Sequence, residues 1–473
     1  IISASPALAA SPKVVDILRP APPRTLEEAH AQIDGLWGIV TELKHQNEEL
    51  REQVNELSER IGKSSRNSSR PPSSDSTTQR AKRRKKPKSH RRQGAQPGHI
   101  RHDRPLVSEQ DVDKIQRYFP DAQCGCGGSV AIEPEPRCRH QVFDIPQVRF
   151  SLIEHQLFSG HCGNCGRYHA AHTPDSIPSG QMGPNLVALI AHLSGRYHLT
   201  IRQIQDYLQE HWQLHFSIGA ISQAQAKATQ ALAEPYRQIG DYVRSQPVAH
   251  ADETRHFRGV ECRWLWALVT RKASYFLVHH SRGKVAADTL LGGFPGFLVT
   301  DDFGGYNRVE NERRQLCWPH LIRKFIDISE RVGNGGKIGR RLLLISHAVI
   351  RTRHRWQEGR IKELVYWRRM NRLRQSFQQT LKRGARLRID GRTKRQCIHL
   401  QSRESMCWTF LQDHRIPLDN NIAERDLRSY VIWRKLSFAS QSYQGDQFRP
   451  LILSIISTAH KIGISSYHFI RAA

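Results

Sequence analysis

The 473-residue sequence predicts a multidomain protein of the mixed α/β class. Three observations support this prediction: a heptad repeat near the N-terminus, short apolar strands after residue 247, and a basic helical stretch that interrupts the strand pattern. The chain carries 72 Lys and Arg against 44 Asp and Glu, which gives a formal net charge of +28. Such an excess of positive charge indicates a polyanionic partner, and nucleic acid is the first candidate.

Residues 26–61 predict a coiled coil, which follows a flexible N-terminus at residues 1–25. One seam position is mostly Leu, and the other is mostly β-branched, with Asn47 as its single polar member. This combination favours a parallel two-stranded coil, and hence a homodimer or higher oligomer. The alternative is one amphipathic helix packed on its own chain, but the 3–4 spacing persists over five heptads.

Residues 62–104 predict a disordered basic linker, because they are rich in Ser, Pro, Lys and Arg and poor in apolar side chains. The density of one charge sign favours phosphate contact over a merely solubilising role. The predicted DNA-binding side chains are Arg80, Lys82, Arg83, Arg84, Lys85, Lys86, Lys88, Arg91 and Arg92.

Two cysteine pairs predict a zinc-ribbon-like module at residues 105–180. The predicted ligands are Cys124, Cys126, Cys162 and Cys165. The first pair is one residue shorter than usual, and the possible replacement ligands are Cys138, His140 and His161. Unligated thiols are the alternative interpretation.

Residues 181–243 predict helices, with Thr200 and Ser217 as N-caps of two successive ones. The pair resembles a helix-turn-helix, which would place the second helix in a DNA groove. An ordinary helical hairpin is an equal alternative, because Lys227 is the only basic residue in that second helix.

The catalytic core is predicted to begin at residues 244–330. Its first strand ends at Asp252; two more strands, a helix near residues 284–291 and a fourth strand ending at Asp301 follow. This is the element order of the ribonuclease H-like fold, in which both aspartates reach the same sheet edge. Their immediate neighbours, Glu253 and Asp302, are expected to have supporting or surface roles, because adjacent strand residues point to opposite faces.

A basic helical insertion is predicted at residues 331–404, where a DNA-gripping role is expected. The core resumes at residues 405–440 with a helix that carries Glu424, and a C-terminal helical segment follows at residues 441–473. Asp252, Asp301 and Glu424 suit two magnesium or manganese ions, because these hard cations prefer oxygen ligands. The alternative for a lone aspartate at a strand end is a turn or helix cap.

The chain resembles transposases of the insertion-sequence-66 family. The matching stretches are residues 66–75, 96–99, 250–254, 317–323 and 420–428, in that order. The resemblance implies a ribonuclease H-like core with Asp252, Asp301 and Glu424 as catalytic acids. It also implies hydrolysis at the 3′ ends of a mobile element and joining of the 3′-hydroxyls to target DNA.

Further roles come from the same resemblance. It implies supporting or DNA-positioning roles, and the residues concerned are His320, Arg323, Asn420, Asn421, Arg425, Arg434 and Lys435. For His320, core packing is an equal alternative. The expected partners are double-stranded DNA, further copies of the chain and accessory proteins of the same element.

Two other functions stay open from the sequence: a structure-specific nuclease of the same fold, and a non-catalytic DNA-binding regulator. No secretory leader or apolar run of about 18 residues is evident, so we expect a cytoplasmic, nucleoid-associated prokaryotic protein without a membrane span.

Overall fold

The computed structural model describes residues 22–62, 64–65, 67, 75, 98, 105–145, 150–175, 177–178, 180–388, 390–437 and 440–473. For residue 52 and residues 55–62 it describes the backbone alone. The chain divides into two compact units, residues 1–81 and residues 82–473, and each is described by itself. The predicted DNA-binding cations between Arg80 and Arg92 lie outside the described residues.

The first unit contains one long helix, α1 (Leu26–Gly62), where the sequence predicted a helix. Its apolar seam is open to solvent within this chain: Leu43 is 56% exposed and Leu50 is 59% exposed. A seam of this kind buries its apolar surface only against another helix. Pairing of two chains through α1 stays a prediction.

The second unit begins with the cysteine-containing module, in which β1 (Ser159–His161) and β2 (Tyr168–Ala170) form an antiparallel hairpin. Four helices follow: α2 (Pro184–Tyr197), α3 (Ile201–Trp212), α4 (Ile218–Ala231) and α5 (Ala233–Arg244). Thr200 caps α3 and Ser217 caps α4 through their hydroxyls, which confirms both predicted caps. Helix α4 packs against α2, α3 and α5.

A five-stranded mixed sheet forms the centre of this unit. Its strands are β3 (Val248–Arg258), β4 (Glu261–Val269), β5 (Ser274–His279), β6 (Phe297–Thr300) and β7 (Arg314–Leu316). Their order across the sheet is β5-β4-β3-β6-β7. The pairs β3–β4 and β4–β5 are antiparallel, whereas β3–β6 and β6–β7 are parallel. The predicted mixed α/β class is therefore confirmed.

Helices cover both faces of the sheet. Helix α6 (Lys284–Leu291), which has the predicted bounds, packs on one face with Ala251 and Trp266. The other face packs against α12 (Asn421–Ser437) and α13 (Tyr443–Lys461). The C-terminal α14 (Ser466–Ala472) contacts α2 and α13, so the last segment belongs to the same core.

Residues 331–404, the predicted insertion, are mainly helical, and α7 (Trp318–Ser329) precedes them. The next helices are α8 (Gly333–Gln357), α9 (Glu363–Ala385), α10 (Gly391–Gln401) and the short α11 (Glu404–Cys407). The fully buried Trp318, Phe377 and Trp408 join these helices to the β7 edge in one apolar cluster with Leu316. Among the described residues, no helix is both long and apolar enough to span a membrane.

Candidate active site

Asp252 and Asp301 both follow the residues through which β3 and β6 pair in parallel. Asp301 directly follows β6, whereas Asp252 lies inside β3: the prediction that the first strand ends at Asp252 was wrong, because β3 continues to Arg258 in its pairing with β4. His250 of β3 pairs with Val299 of β6, so each aspartate lies two residues beyond this pair. This is the juxtaposition that the order of elements predicted. The backbone amide of Glu253 donates to Asp252 Oδ1 at 2.9 Å, and the amide of Phe303 donates to Asp301 Oδ1 at 2.9 Å.

Glu424 lies in the first turn of α12, which is anchored beside Asp252. The buried side chain of Asn420 donates from Nδ2 to the Ala251 carbonyl at 2.9 Å. Its Oδ1 lies 3.0 Å from Nδ1 of the buried His250. Asn420 therefore fixes the start of α12 against the strand that carries Asp252.

The three acids influence one another electrostatically. Burial raises the pKa of Asp252 well above its ordinary value, and the charges of Glu253, Asp301 and Glu424 raise it further. Burial also raises the pKa of Glu424, with Asp301 contributing in the same direction. Carboxylates this close repel one another, and a cation among them removes that cost.

A second group of ligand atoms adjoins Glu424. Atoms of Cys317, His320 and Glu424 lie within 4.8 Å of one another, which meets the distance requirement for a metal ion. The Nδ1 atom of His320 and the Oε1 atom of Glu424 are 3.7 Å apart, and both are buried without a hydrogen-bond partner. Burial raises the pKa of the Cys317 thiol to about 12.

The neighbour of His320 determines where its proton lies. Arg323 Nη2 is 3.0 Å from His320 Nε2, and a guanidinium can only donate, so Nε2 accepts. Burial and then the charge of Arg323 lower the pKa of His320 to about 4, so the ring is neutral at pH 7. Its one proton is therefore on Nδ1, facing Glu424. In this arrangement the ring is suited to orienting the carboxylate rather than to binding an ion.

Glu253 is buried, which excludes the surface role that the sequence left open. Arg282 donates to Glu253 Oε1 at 2.9 Å, and the Tyr306 hydroxyl donates to Oε2 at 2.9 Å. The Arg282 guanidinium also lies over the rings of Trp264 and Phe303. Glu253 thus has its own partners on the sheet face opposite to Asp252.

The side chain of Asp302 is likewise buried and contacts Lys324 of α7 together with His399 and Arg403, so a surface role is excluded here too. Lys324 Nζ lies 2.5 Å from Asp302 Oδ2, and His399 Nε2 lies 2.9 Å from the same atom. Arg403 donates to Oδ1 at 2.8 Å. Burial alone would raise the pKa of Asp302, but Lys324 and His399 hold it below its ordinary value.

Arg314 is a positioning residue that the sequence analysis missed. It is fully buried in β7 and donates to the backbone carbonyls of Asp301 and Phe303 at 2.9 and 2.8 Å. A third donation reaches the Thr300 hydroxyl at 2.9 Å. The one signal in the sequence that could have indicated Arg314 was its position three residues before the motif that begins at Cys317.

The remaining residues that were predicted to position DNA make no side-chain hydrogen bond or ion pair with the three acids in the described part of the chain. Arg434 donates to the Thr254 hydroxyl at 3.2 Å and to the Arg255 carbonyl. Three of the predicted residues, Asn421, Arg425 and Lys435, lie exposed on α12. Their proposed contacts with DNA stay predictions.

The two cysteine pairs lie in separate tight turns. The Cys124 amide donates to Gly128, and the Cys162 amide donates to Arg167, both at 2.8 Å. Hydrogen bonds, first from the Gly128 backbone, lower the pKa of Cys126. Within the described ranges, ligand atoms gather within 4.8 Å at the Cys317 group and not at these cysteines. Zinc binding by the pairs stays a prediction.

Together, a mixed sheet that carries two neighbouring aspartates, a glutamate on an adjacent helix and a basic helical segment are typical of proteins that process DNA. Comparison with known families agrees. Residues 179–447 match the model described as Transposase IS66 family, and the chain belongs to this family. Residues 15–105, which include α1, match a family of unknown function.

Curated relatives are distant and carry no functional description. Uncharacterized protein y4jD of Sinorhizobium fredii is 24% identical over 49% of this chain and 50% of its own length. Uncharacterized protein y4qI of the same organism is 24% identical over 42% of this chain and 41% of its own. Uncharacterized protein y4hP, also from this organism, is 23% identical over 75% of this chain and 70% of its own. The chain thus spans half or less of the first two relatives.

Proposed function

We propose that this protein is a DNA transposase whose catalytic acids are Asp252, Asp301 and Glu424. The observation that carries the proposal is the gathering of these acids from two strands and one helix, in a cationic chain of a transposase family. The strand order, with a helix between the third and fourth strands, supports a ribonuclease H-like core. The substrate would be the ends of a mobile element, followed by target DNA.

The same acids would hold two magnesium or manganese ions. Their oxygen donors suit these cations. Burial is the main cause of the raised pKa of Asp252, and the neighbouring acids raise it further, a repulsion that a cation would relieve. When bound, divalent ions activate the attacking water or 3′-hydroxyl and stabilise the leaving oxygen. The protein's own part is to hold the carboxylates in place: Arg314 fixes the Asp301 backbone, and Asn420 fixes the helix that carries Glu424.

His320 would act through Glu424. Its Nδ1–H faces Glu424 Oε1 at 3.7 Å, a gap that a small movement of the side chain would close into a hydrogen bond. Holding one carboxylate oxygen leaves the other free for a metal ion. Outer partners of this kind commonly tune metal sites. We assign His320 and Arg323 to this positioning role.

The remaining modules would serve DNA binding and assembly. We propose that α1 pairs two chains, that the cysteine pairs bind zinc, and that the basic linker contacts phosphates. Accessory proteins of the element and a location on the nucleoid are further parts of the proposal.

The test compares Asp252→Asn with Asp241→Asn, the same change at an exposed position on α5. The substrate is a labelled duplex that carries the inverted repeats flanking the gene, with Mg²⁺ or Mn²⁺. Loss of at least a thousandfold of 3′-end cleavage is expected for Asp252→Asn, with DNA binding retained, because the metal loses a charged ligand. Asp241→Asn should behave like the unchanged protein.

Two results would contradict the proposal. Unchanged cleavage by Asp252→Asn would contradict catalysis through the three carboxylates. Cleavage by the unchanged protein without any joined product would identify a nuclease of the same fold rather than a transposase.

A further inference from the structure

A groove between α8 and α9 of the insertion is lined by basic and hydroxyl-bearing side chains. It has a volume of about 420 Å³. Its polar lining consists of Lys337, Arg341, Ser376, Gln379, Thr380 and Arg383. The lining contains three cations and no acid, and the one acid on the two helices, Glu363, lies at the start of α9 outside the lining.

The helical spacing explains why these side chains converge. Lys337 and Arg341 are four residues apart on α8, so they share one face of that helix. Ser376 and Arg383 are seven residues apart on α9, and they share the face that lies opposite. Arg341 Nη2 donates to the Ser376 hydroxyl at 3.2 Å, which ties one cation to the facing helix.

This arrangement is unfavourable unless an anion is bound. Like charges four residues apart on a helix repel, and here a third cation faces them across the groove. The cations are exposed, so they contribute nothing to the core that would offset this repulsion. Hydroxyl and amide groups between the cations complete a set of donors suited to phosphate oxygens.

The groove also lies within reach of DNA held at the acids. Helix α7 begins beside the acids with His320, spans 12 residues and is thus about 18 Å long. Gly339, between Lys337 and Arg341, lies against the end of α7: a Cβ there would come 2.3 Å from the Ser329 amide nitrogen. Lys337 and Arg341 are each two residues from Gly339, so they lie on the opposite side of α8, about 10 Å further from α7. At about 3.4 Å per base pair, one duplex would cover the combined distance in roughly eight base pairs.

We propose that this groove binds successive phosphates of the DNA backbone, as a sequence-independent contact of the insertion. The inference rests on the proposed function, because it assigns the groove to the same DNA that the acids cut. Binding through phosphates releases counterions, so each lost contact lowers the salt dependence of affinity by about 0.9 in a plot of log K against log salt concentration.

The test measures the affinity for a linear 40-base-pair duplex by fluorescence anisotropy over a salt series. All proteins carry Asp252→Asn, so cleavage does not interfere. The groove variant combines Lys337→Ala, Arg341→Ala and Arg383→Ala. The control combines Arg351→Ala, Arg355→Ala and Arg372→Ala, which removes the same charge from exposed positions of α8 and α9 outside the lining.

The slope should fall by about two to three for the groove variant and by less than one for the control. Inorganic phosphate, at the same ionic strength as chloride, should weaken DNA binding by the parent more than by the groove variant. Equal loss in both variants would show a bulk charge effect and overturn the proposal. If inorganic phosphate bound the groove but the groove variant kept the salt slope of the parent, the groove would be a site for the free anion, and the proposal would be overturned.

Thermal melting of both variants shows whether either has lost its fold, and relief of repulsion predicts an unchanged or slightly higher Tm for the groove variant. The outcome is separable from that of the proposed function. An unchanged salt slope would contradict phosphate binding by the groove without affecting the cleavage defect expected for Asp252→Asn. Conversely, unchanged cleavage by Asp252→Asn would contradict the proposed function without affecting the salt slope.

Discussion

The ring of His320 lies between a guanidinium and a carboxylate, and this position decides which nitrogen carries the proton. Arg323 requires an acceptor at Nε2, which leaves the proton on Nδ1 toward Glu424. A metal ion bound at Nδ1 would need the opposite tautomer. We therefore expect the residue to matter through donation from Nδ1 and not through coordination.

Substitutions at His320 separate donation from coordination. His320→Asn keeps an amide N–H close to the position of Nδ1, whereas His320→Gln places its amide near Nε2. We expect Asn to retain most of the cleavage activity and Gln to lose about tenfold to a hundredfold, with weaker Mn²⁺ binding. Single-turnover cleavage and Mn²⁺ titration measure both effects.

The melting temperature of the two His320 variants provides the control for folding. Equal activity of Asn and Gln variants, at equal stability, would contradict the positioning role. Loss of activity by both, with Mn²⁺ affinity reduced to the same degree, would instead favour direct coordination by the ring.

The positions of single side chains were predictable where their environment is local in sequence. The caps at Thr200 and Ser217 depend on a hydroxyl and an amide three residues later, so the sequence contains the whole motif. The environment of Asp302 could not be predicted, because His399 and Arg403 approach it from about a hundred residues further along the chain. Contacts between residues so far apart in the chain cannot be predicted from the spacing of residues in one sequence.

At the level of helices and strands, α1 presents an apolar seam that its own chain leaves exposed. Eight aliphatic side chains of α1, among them Leu36 and Val54, are at least half exposed. Burial of a Leu stabilises by about 1.5–3 kcal/mol, so a second helix would gain substantially from covering this seam. Asn47 would restrict the pairing to one register.

The seam is tested by placing the same acid on two sides of α1. Leu50→Glu puts a carboxylate into the seam, whereas His45→Glu puts it on the outer face, where His45 already lies near Glu49. We expect Leu50→Glu to convert the dimer into monomer at micromolar concentration and His45→Glu to leave it unchanged. Light scattering after size exclusion measures the mass. A monomeric parent would contradict the predicted coil.

The order of strands was predictable because periodicity changes from helical to alternating near residue 247. Helix α6 and the strand before Asp301 follow from the same change. Strand β7 was not foreseen, since it has three residues and contains Arg314. The packing of α13 on the sheet was also not foreseen, because an apolar helix does not indicate which surface it covers.

For the whole molecule, stability should depend on pH through a histidine buried between the sheet and two helices. His256 of β3 is fully buried, hydrogen bonded to the Tyr430 hydroxyl through Nδ1 and to Asp446 through Nε2 at 2.8 Å. Burial lowers its pKa, although Asp446 acts in the opposite direction. The unfolded chain therefore binds more protons than the folded chain below about pH 6.5.

It follows that the contribution of His256 is fully present above pH 6.5 and is lost as the pH falls through its lower folded pKa. We expect His256→Gln to lower the free energy of unfolding by about 1–3 kcal/mol at pH 7. Its stability should then change less between pH 7 and pH 5 than that of the parent. Denaturant melts at both pH values measure this, with the exposed His347→Gln as control. A variant as pH-dependent as the parent would contradict the assignment.

The cations around Asp302 bind the insertion to the core one peptide bond away from Asp301. Removing residues 331–404 would take His399 and Arg403 from the buried Asp302 and leave it Lys324, so we expect this segment and the core to change together during evolution. New insertions in related chains would have to bring replacement cations with them. The same contacts link these helices to the site, so we expect a tilt of α7 or α10 to displace the loop that contains Asp301.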